Sequence, residues 1–187
     1  GGAFHCVHMS EEDISIFKSR GLTAVLNPAS NLKLASGIAP VKRFLDEGIA
    51  IAVGTDGAGS NNALDMFREM YLVSVLAKYR ENDASAVDAA KVLKAACVGG
   101  ARAMGLDTCD GIAAGKKADL AVIDLKRPNM RPINNIAKNI VYAGSKENVR
   151  LTMVNGRVLY EDGEFFIGED AGKIYDEAEK IMETIKR

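Results

Sequence analysis

Gly48-Ile49-Ala50-Ile51-Ala52-Val53-Gly54-Thr55-Asp56-Gly57-Ala58-Gly59 is the stretch on which the fold turns. Ile49 to Val53 is continuously apolar, the pattern of a strand covered on both faces in a parallel sheet rather than of a half-exposed hairpin. Just upstream, Pro40 suits the first turn of a helix, Val41, Phe44 and Leu45 form its buried side, and Gly48 closes it. Leu22 to Leu26 is a second short apolar run, ended by Asn27-Pro28, with a small polar loop expected after it. Before that run, Ser10 followed by Glu11, Glu12 and Asp13 resembles a capping box, Ile14 and Phe17 supply an apolar face, and Gly21 suits a left-handed stop. Residues 3 to 56 therefore read as βαβαβ.

Downstream, Leu64, Phe67, Tyr71 and Val75 recur at spacings of three and four, with Asp65 early and Lys78 and Arg80 late, which predicts a long helix. Val87 to Met104 reads as one or two helices with alanine faces, interrupted at Gly99-Gly100. Glycine-punctuated strands follow: Ala118 to Leu125, then Leu151 to Val154 and Arg157 to Tyr160 around the hairpin signal Asn155-Gly156. Ile174, Ala178, Ile181 and Ile185 mark an amphipathic closing helix, expected to dock on one of the two modules. The split expected from this texture is 1–107, α/β, and 108–187, mostly β.

Composition narrows the classes of function. The chain has 187 residues, 24 Lys+Arg against 25 Asp+Glu, a net charge of -1, 48% hydrophobic residues and three cysteines. A neutral balance without a basic run argues against nucleic acid or an anionic membrane as partner. Cys6, Cys97 and Cys109 are far apart with no Cys-x-x-Cys, so neither a disulfide framework nor a structural zinc site is expected, and a reducing cytoplasm fits. The longest strongly apolar run is far short of a membrane span. The opening Gly1-Gly2-Ala3-Phe4-His5 reads as the middle of a longer chain, or as linker glycines before Ala3.

In parallel α/β folds, reactive groups gather where strands end. His5, Asn27 and Asp56 occupy those positions, and a histidine and a carboxylate on neighbouring strand ends suit a divalent metal or an acid/base pair. Each has a plainer reading. Asp-Gly is a common turn dipeptide, and an imidazole is readily satisfied inside a core. Asn61 and Asn62 suit either the orientation of Asp56 or the cap of a helix beginning near Ala63. His8 reads as structural, Met66 and Met70 as core filler, and Cys6 as buried.

Phe4-His5-Cys6-Val7-His8-Met9, Asn27-Pro28-Ala29-Ser30-Asn31-Leu32-Lys33-Leu34, Gly37-Ile38-Ala39-Pro40 and Gly54-Thr55-Asp56-Gly57-Ala58-Gly59-Ser60-Asn61-Asn62 occur in order with spacings that resemble the amidohydrolase superfamily. The likeness is strongest to its 5-methylthioadenosine/S-adenosylhomocysteine deaminases and the cytosine deaminase and triazine chlorohydrolase group. Gly111 to Leu120 and Met153 to Val158 look like strands of that group's accessory β-sandwich.

The resemblance implies the last three strands and helices of a metal-dependent (β/α)8 TIM barrel, part of a small β-sandwich and a C-terminal helix. It implies one divalent metal, Zn²⁺ or Fe²⁺, held by a His-x-His pair on the first strand, a His on the fifth and an Asp on the eighth. Asp56 corresponds to that Asp, as metal ligand and as the base that passes the water's proton to departing ammonia. His5 corresponds to the sixth-strand His at the attacking water. The other ligands have no counterpart here, so a missing N-terminal barrel half is the implied partner, and the isolated chain is expected to be inactive. The implied substrate is a small molecule, an aminated purine or related heterocycle. Alternatives are a chlorohydrolase or amide hydrolase using the same activated water, or a non-catalytic binding or assembly module. Open sheet edges favour a homo-oligomer.

Overall fold

In the computed structural model, which describes residues 1–185, the chain divides into two compact units, Gly1–Lys116 with Leu125–Glu147, and Lys117–Asp124 with the residues from Asn148 onward. The sequence-derived cut after residue 107 differs from this division. The helix Ile136–Ala143 returns to the first unit because its apolar side packs there, and a change of local texture does not reveal such a return.

The first unit is built on a parallel sheet of β1 (Gly2–Phe4), β2 (Thr23–Leu26) and β3 (Ala50–Val53), in that order. The pairing aligns Ala3 with Ala24 and Ala24 with Ile51. All three strands therefore end at one edge of the sheet. Helix α1 (Glu11–Arg20) joins β1 to β2, opens on the expected capping box between Ser10 and Asp13, and closes at Gly21 with φ 58°. Helices α2 (Pro28–Lys33) and α3 (Val41–Asp46) join β2 to β3. Helix α2 replaces the expected polar loop. Pro28 stands at its first turn, where a missing N–H costs nothing. Phe44, at 0% exposure, anchors α3 in the core with Ile14, Leu26, Val41 and Ile51.

Helix α4 (Ala58–Asn61) is a single turn, and α5 (Met66–Glu81) is the long helix. Asp65 caps α5, its Oδ1 accepting from the amides of Phe67 at 2.9 Å and Arg68 at 3.4 Å. The buried face of α5 is Glu69, Met70, Val73, Ser74 and Ala77, whereas Leu64 and Tyr71 are exposed. The expected apolar stripe is therefore displaced. Beside Met70 and Val73 the helix buries the polar Glu69 and Ser74, which find partners across the fold, and spacing of large apolar residues does not register these.

Helix α6 (Ala89–Lys94) runs through a wider π-turn over Ala95–Gly99 into α7 (Gly100–Ala103) without the expected interruption. Both glycines keep right-handed helical angles, Gly99 at φ -61° and Gly100 at φ -60°. Gly99 lies against β3, where a Cβ would run into the Ile51 carbonyl oxygen and sit 3.2 Å from Ala52 Cα. The glycine permits close approach rather than a break. Helix α8 (Ile136–Ala143) completes the unit, with Tyr142 Oη 2.7 Å from Ser74 Oγ of α5.

The second unit holds an antiparallel sheet of β4 (Leu120–Ile123), β5 (Val149–Val154), β6 (Arg157–Glu161) and β7 (Glu164–Phe165), in that order. The β5–β6 hairpin turns at Asn155 (φ 49°) and Gly156 (φ 80°), the left-handed pair that an Asn-Gly turn requires. Helix α9 (Ala171–Ile185) forms as expected but none of its residues is buried; Ile174, Ile181 and Ile185 stay exposed. Periodicity specifies an apolar face without specifying a cover for it. Among the described residues no helix is long and apolar enough to cross a membrane.

The two glycines of the α6–α7 run make a paired test. Gly99→Ala should destabilise the protein by about 1–3 kcal/mol through overpacking on β3. Gly100→Ala meets open space and should stabilise it by about 0.5–1 kcal/mol through helix propensity. Thermal melts of the two variants check this, and equal shifts would contradict the close approach.

Candidate active site

His5 follows β1 directly, and its amide donates to the Val25 carbonyl at 2.8 Å, so the sheet ladder holds its backbone one residue past the strand. Asp56 lies three residues past β3, after Gly54 has made the last ladder bond to Leu26 O at 2.9 Å. Both residues are left-handed, His5 at φ 67° and Asp56 at φ 60°, and Cys6 follows at φ 48°. Asp and His tolerate this region better than most residues, yet each such position costs on the order of 1–3 kcal/mol and is held by its surroundings. These turns bring His5 Nε2 to 3.9 Å from Asp56 Oδ2, with the side chains 42% and 32% exposed. The separation exceeds a hydrogen bond, so the two groups face each other across a gap at the mouth of the sheet.

Three donors converge on the Asp56 carboxylate. Ser30 Oγ donates to Oδ2 at 2.6 Å, Ser60 Oγ to the same oxygen at 2.8 Å, and the Gly57 amide to Oδ1 at 2.7 Å. The Ser30 bond first, then those of Ser60 and Gly57, hold its pKa down at about 2 against an ordinary 3.8. Asp56 is ionised throughout the neutral range. On the other side, His5 Nδ1 donates to Asn31 Oδ1 at 2.7 Å, which leaves Nε2 with its lone pair in the neutral imidazole. Ser30 and Asn31 are both buried on α2.

Phe4, Met9 and Leu34 line a cleft of about 470 Å³ together with His5, Asn31 and Asp56. This volume suits a small organic molecule, with apolar walls and a few convergent polar groups. Cys6 is buried, its Sγ donating to Ala3 O at 3.2 Å, and burial raises its pKa. His8 Nε2 donates to Ser36 O at 3.0 Å and belongs to the loop.

Asn27 is not brought into this group. It is 2% exposed, and with its amide nitrogen as donor it bonds Leu26 O and Gly54 O, each at 3.1 Å. It braces the ends of β2 and β3, and a Cβ at Gly54 would come within 2.7 Å of its side chain. Asn61 and Asn62 do not cap α5 either, since Asp65 does. Ser30, Asn31 and Ser60 are the site groups for which spacing supplied no role. Pro28 at a first helical turn was the available signal for the two on α2.

The chain matches the amidohydrolase family over residues 2–159. It is 42% identical over 188 aligned positions to the 5-methylthioadenosine/S-adenosylhomocysteine deaminase 1 of Syntrophus aciditrophicus (strain SB), covering 98% of this chain and 42% of that protein. A 5'-deoxyadenosine deaminase of Methanosarcina mazei is 38% identical over 183 positions, 98% of this chain and 42% of that one. Among solved structures, an adenosine deaminase from Xanthomonas campestris with bound zinc superposes with a TM-score of 0.93 at 36% identity, covering 98% of this chain and 42% of its own. A mutant atrazine chlorohydrolase from Arthrobacter aurescens TC1 complexed with zinc and atraton reaches 0.83 at 25% identity, covering 93% and 39%. The chain thus spans about two fifths of the length of the curated relatives it matches. Since the family match runs through β1, β2 and β3 and on to β6, this chain belongs to the amidohydrolase family.

Proposed function

We propose that the chain is the C-terminal part of a metal-dependent hydrolase that deaminates an adenosine-type nucleoside or a related heterocyclic amine. In this reading β1, β2 and β3 are the sixth to eighth strands of a (β/α)8 barrel, the first unit is catalytic, and the second is part of an accessory β-sandwich. The observation that carries it is the ionised Asp56 facing His5 Nε2 across 3.9 Å at the C-terminal edge of the parallel sheet. The deaminase names of the relatives support the substrate class.

Asp56 fits a divalent cation such as zinc as one of its ligands, being an oxygen donor that stays deprotonated and is partly open to the cleft. A catalytic zinc takes three protein ligands. Among the described residues no three His, Cys, Asp or Glu side chains come together, so in this reading the other ligands lie outside this chain. When bound, such an ion lowers the pKa of a water from 15.7 towards about 7.

The remaining work falls to residues present here. Asp56 accepts the proton of the attacking water and returns it to the amine nitrogen, which leaves as ammonia while the water oxygen stays on the ring carbon. His5 Nε2 accepts a hydrogen bond from the same water, because Asn31 holds the opposite ring nitrogen as a donor. Phe4, Met9 and Leu34 supply the apolar flank of the cleft in which that step takes place. Displacement of halide by the same groups is the second reading, favoured by the likeness to the chlorohydrolase, and a substrate profile separates the two.

In the full-length protein, Asp56→Asn should lower kcat/KM for aminopurine nucleosides by about 10²–10⁴-fold with the fold retained by circular dichroism. Undiminished turnover would remove Asp56 as the base. In the metal-free protein the Asp56 carboxyl should titrate at about 2 rather than 3.8. The stability its hydrogen bonds add is then complete above pH 3.8 and lost as pH falls through about 2. Ser30→Ala should move that midpoint upward in a carbon-detected NMR titration; an unmoved midpoint would show that Ser30 is not the controlling donor.

A further inference from the structure

Glu69 is a carboxylate at 0% exposure on α5. Acidic side chains are almost never fully buried unless partnered. Its two oxygens go to two different loops of the site. Oε2 accepts the amide of Ala29 at 3.0 Å, in the first turn of α2 after β2. Oε1 accepts Asn61 Nδ2 at 2.7 Å, on α4 after β3.

Each partner stands one residue from a group that touches Asp56. Ala29 precedes Ser30, which donates to Asp56 Oδ2, and Ser30 precedes Asn31, which holds the His5 ring. Asn61 follows Ser60, the second donor to Oδ2, and its Nδ2 also donates to Thr55 O at 2.6 Å, on the residue before Asp56. Arg68 Nη2 donates to Asn61 Oδ1 at 2.6 Å and fixes that amide's orientation. Asn61 Nδ2 is therefore a donor to Glu69 and to Thr55 together.

We propose that Glu69 is a positioning residue which ties the loop after β2 to the loop after β3, so that Ser30, Ser60 and Asn31 stand in register with Asp56 and His5. The geometry of the tie is independent of the reaction; its kinetic consequence rests on the deaminase reading above. Burial pushes the Glu69 pKa up, against the Ala29 amide and the Asn61 side chain, which pull it down. Both partners are N–H donors, so two acceptor oxygens are required at this point. A glutamine of the same shape offers one, and its amide nitrogen would confront a donor at the other. Packing alone is served as well by an apolar side chain, since burying a charge is costly.

Glu69→Gln and Asn61→Ala in the full-length protein test the tie, with kcat, KM, melting temperature and amide hydrogen exchange as readouts. Glu69→Gln should lower kcat by about 10–100-fold, the usual cost of removing a group that orients site residues, with KM little changed. Exchange of the Ala29 amide should accelerate about tenfold, as for one lost hydrogen bond, and Gly57, which bonds Asp56, should follow, while amides of α6 keep their protection. Asn61→Ala leaves the Ala29 bond intact and should loosen Gly57 alone, so it carries the test if the first variant does not fold. A lowered melting temperature with wild-type kcat and wild-type exchange at Ala29 and Gly57 would reduce Glu69 to a packing residue and overturn the proposal. Uniformly accelerated exchange would overturn it too. If the wild-type protein deaminates no aminopurine, the deaminase reading falls, and selective loosening at Ala29 and Gly57 still supports the tie.

Discussion

The parallel register of three short strands is the constraint on which the site depends. Ala24 pairs with Ala3 on one side and with Ile51 on the other, and this alignment sends His5 and Asp56 off the same edge of the sheet. A slip of one residue would turn every side chain of a strand to the opposite face, so the core and the site are specified together. β2 and β3 are covered on both faces, with Ala24, Leu26, Ala52 and Val53 buried, and the amides of His5 and Gly54 continue the ladder to Val25 O and Leu26 O at the strand ends. The left-handed turns at His5 and Asp56 then convert a common edge into a shared mouth. Their cost is met by the bonds those residues make to Val25, Ser30, Asn31, Gly57 and Ser60.

Two carboxylates near that mouth are pushed in opposite directions. Asp56 is a third exposed and wrapped by three donors, and its pKa falls to about 2. Glu69 is sealed in the core and its pKa rises, because desolvation outweighs its two amide partners. Water screens much of the energy of the exposed group, so the donors around Asp56 matter for keeping it charged and oriented more than for global stability. Glu69 has no such screening. Its bonds must be made within the fold, which suits a group that orients others rather than one that reacts.

Several parts of the fold were legible because each rests on residues close together in the chain. The capping box of Ser10 and Asp13, the left-handed Gly21, the apolar run ending at Val53 and the Asn155-Gly156 turn are of this kind. Parallel pairing was readable too, since apolar runs separated by capped helices allow few other arrangements. The buried face of α5 was not, because it hides Glu69 and Ser74, whose partners lie on other elements. The continuous helix through Gly99 was not either. Glycine permits both a break and a close approach, and only the nearness of Ile51 selects the second.

By itself the sequence determined the order of strands and helices and the placement of His5 and Asp56 at strand ends, and its motifs carried the likeness to the amidohydrolase family. Tertiary structure alone decided that Ser30 and Asn31 meet Asp56 and His5 respectively, each across 26 residues of chain, and that Glu69 reaches Ala29 across 40. It also decided that Asn27 braces strands and that α9 leaves its apolar face exposed. The physical reason is the range of the forces. Capping and periodicity act within a turn or two of chain, whereas hydrogen bonds across 26 or 40 residues form only after the sheet has closed the loops between them.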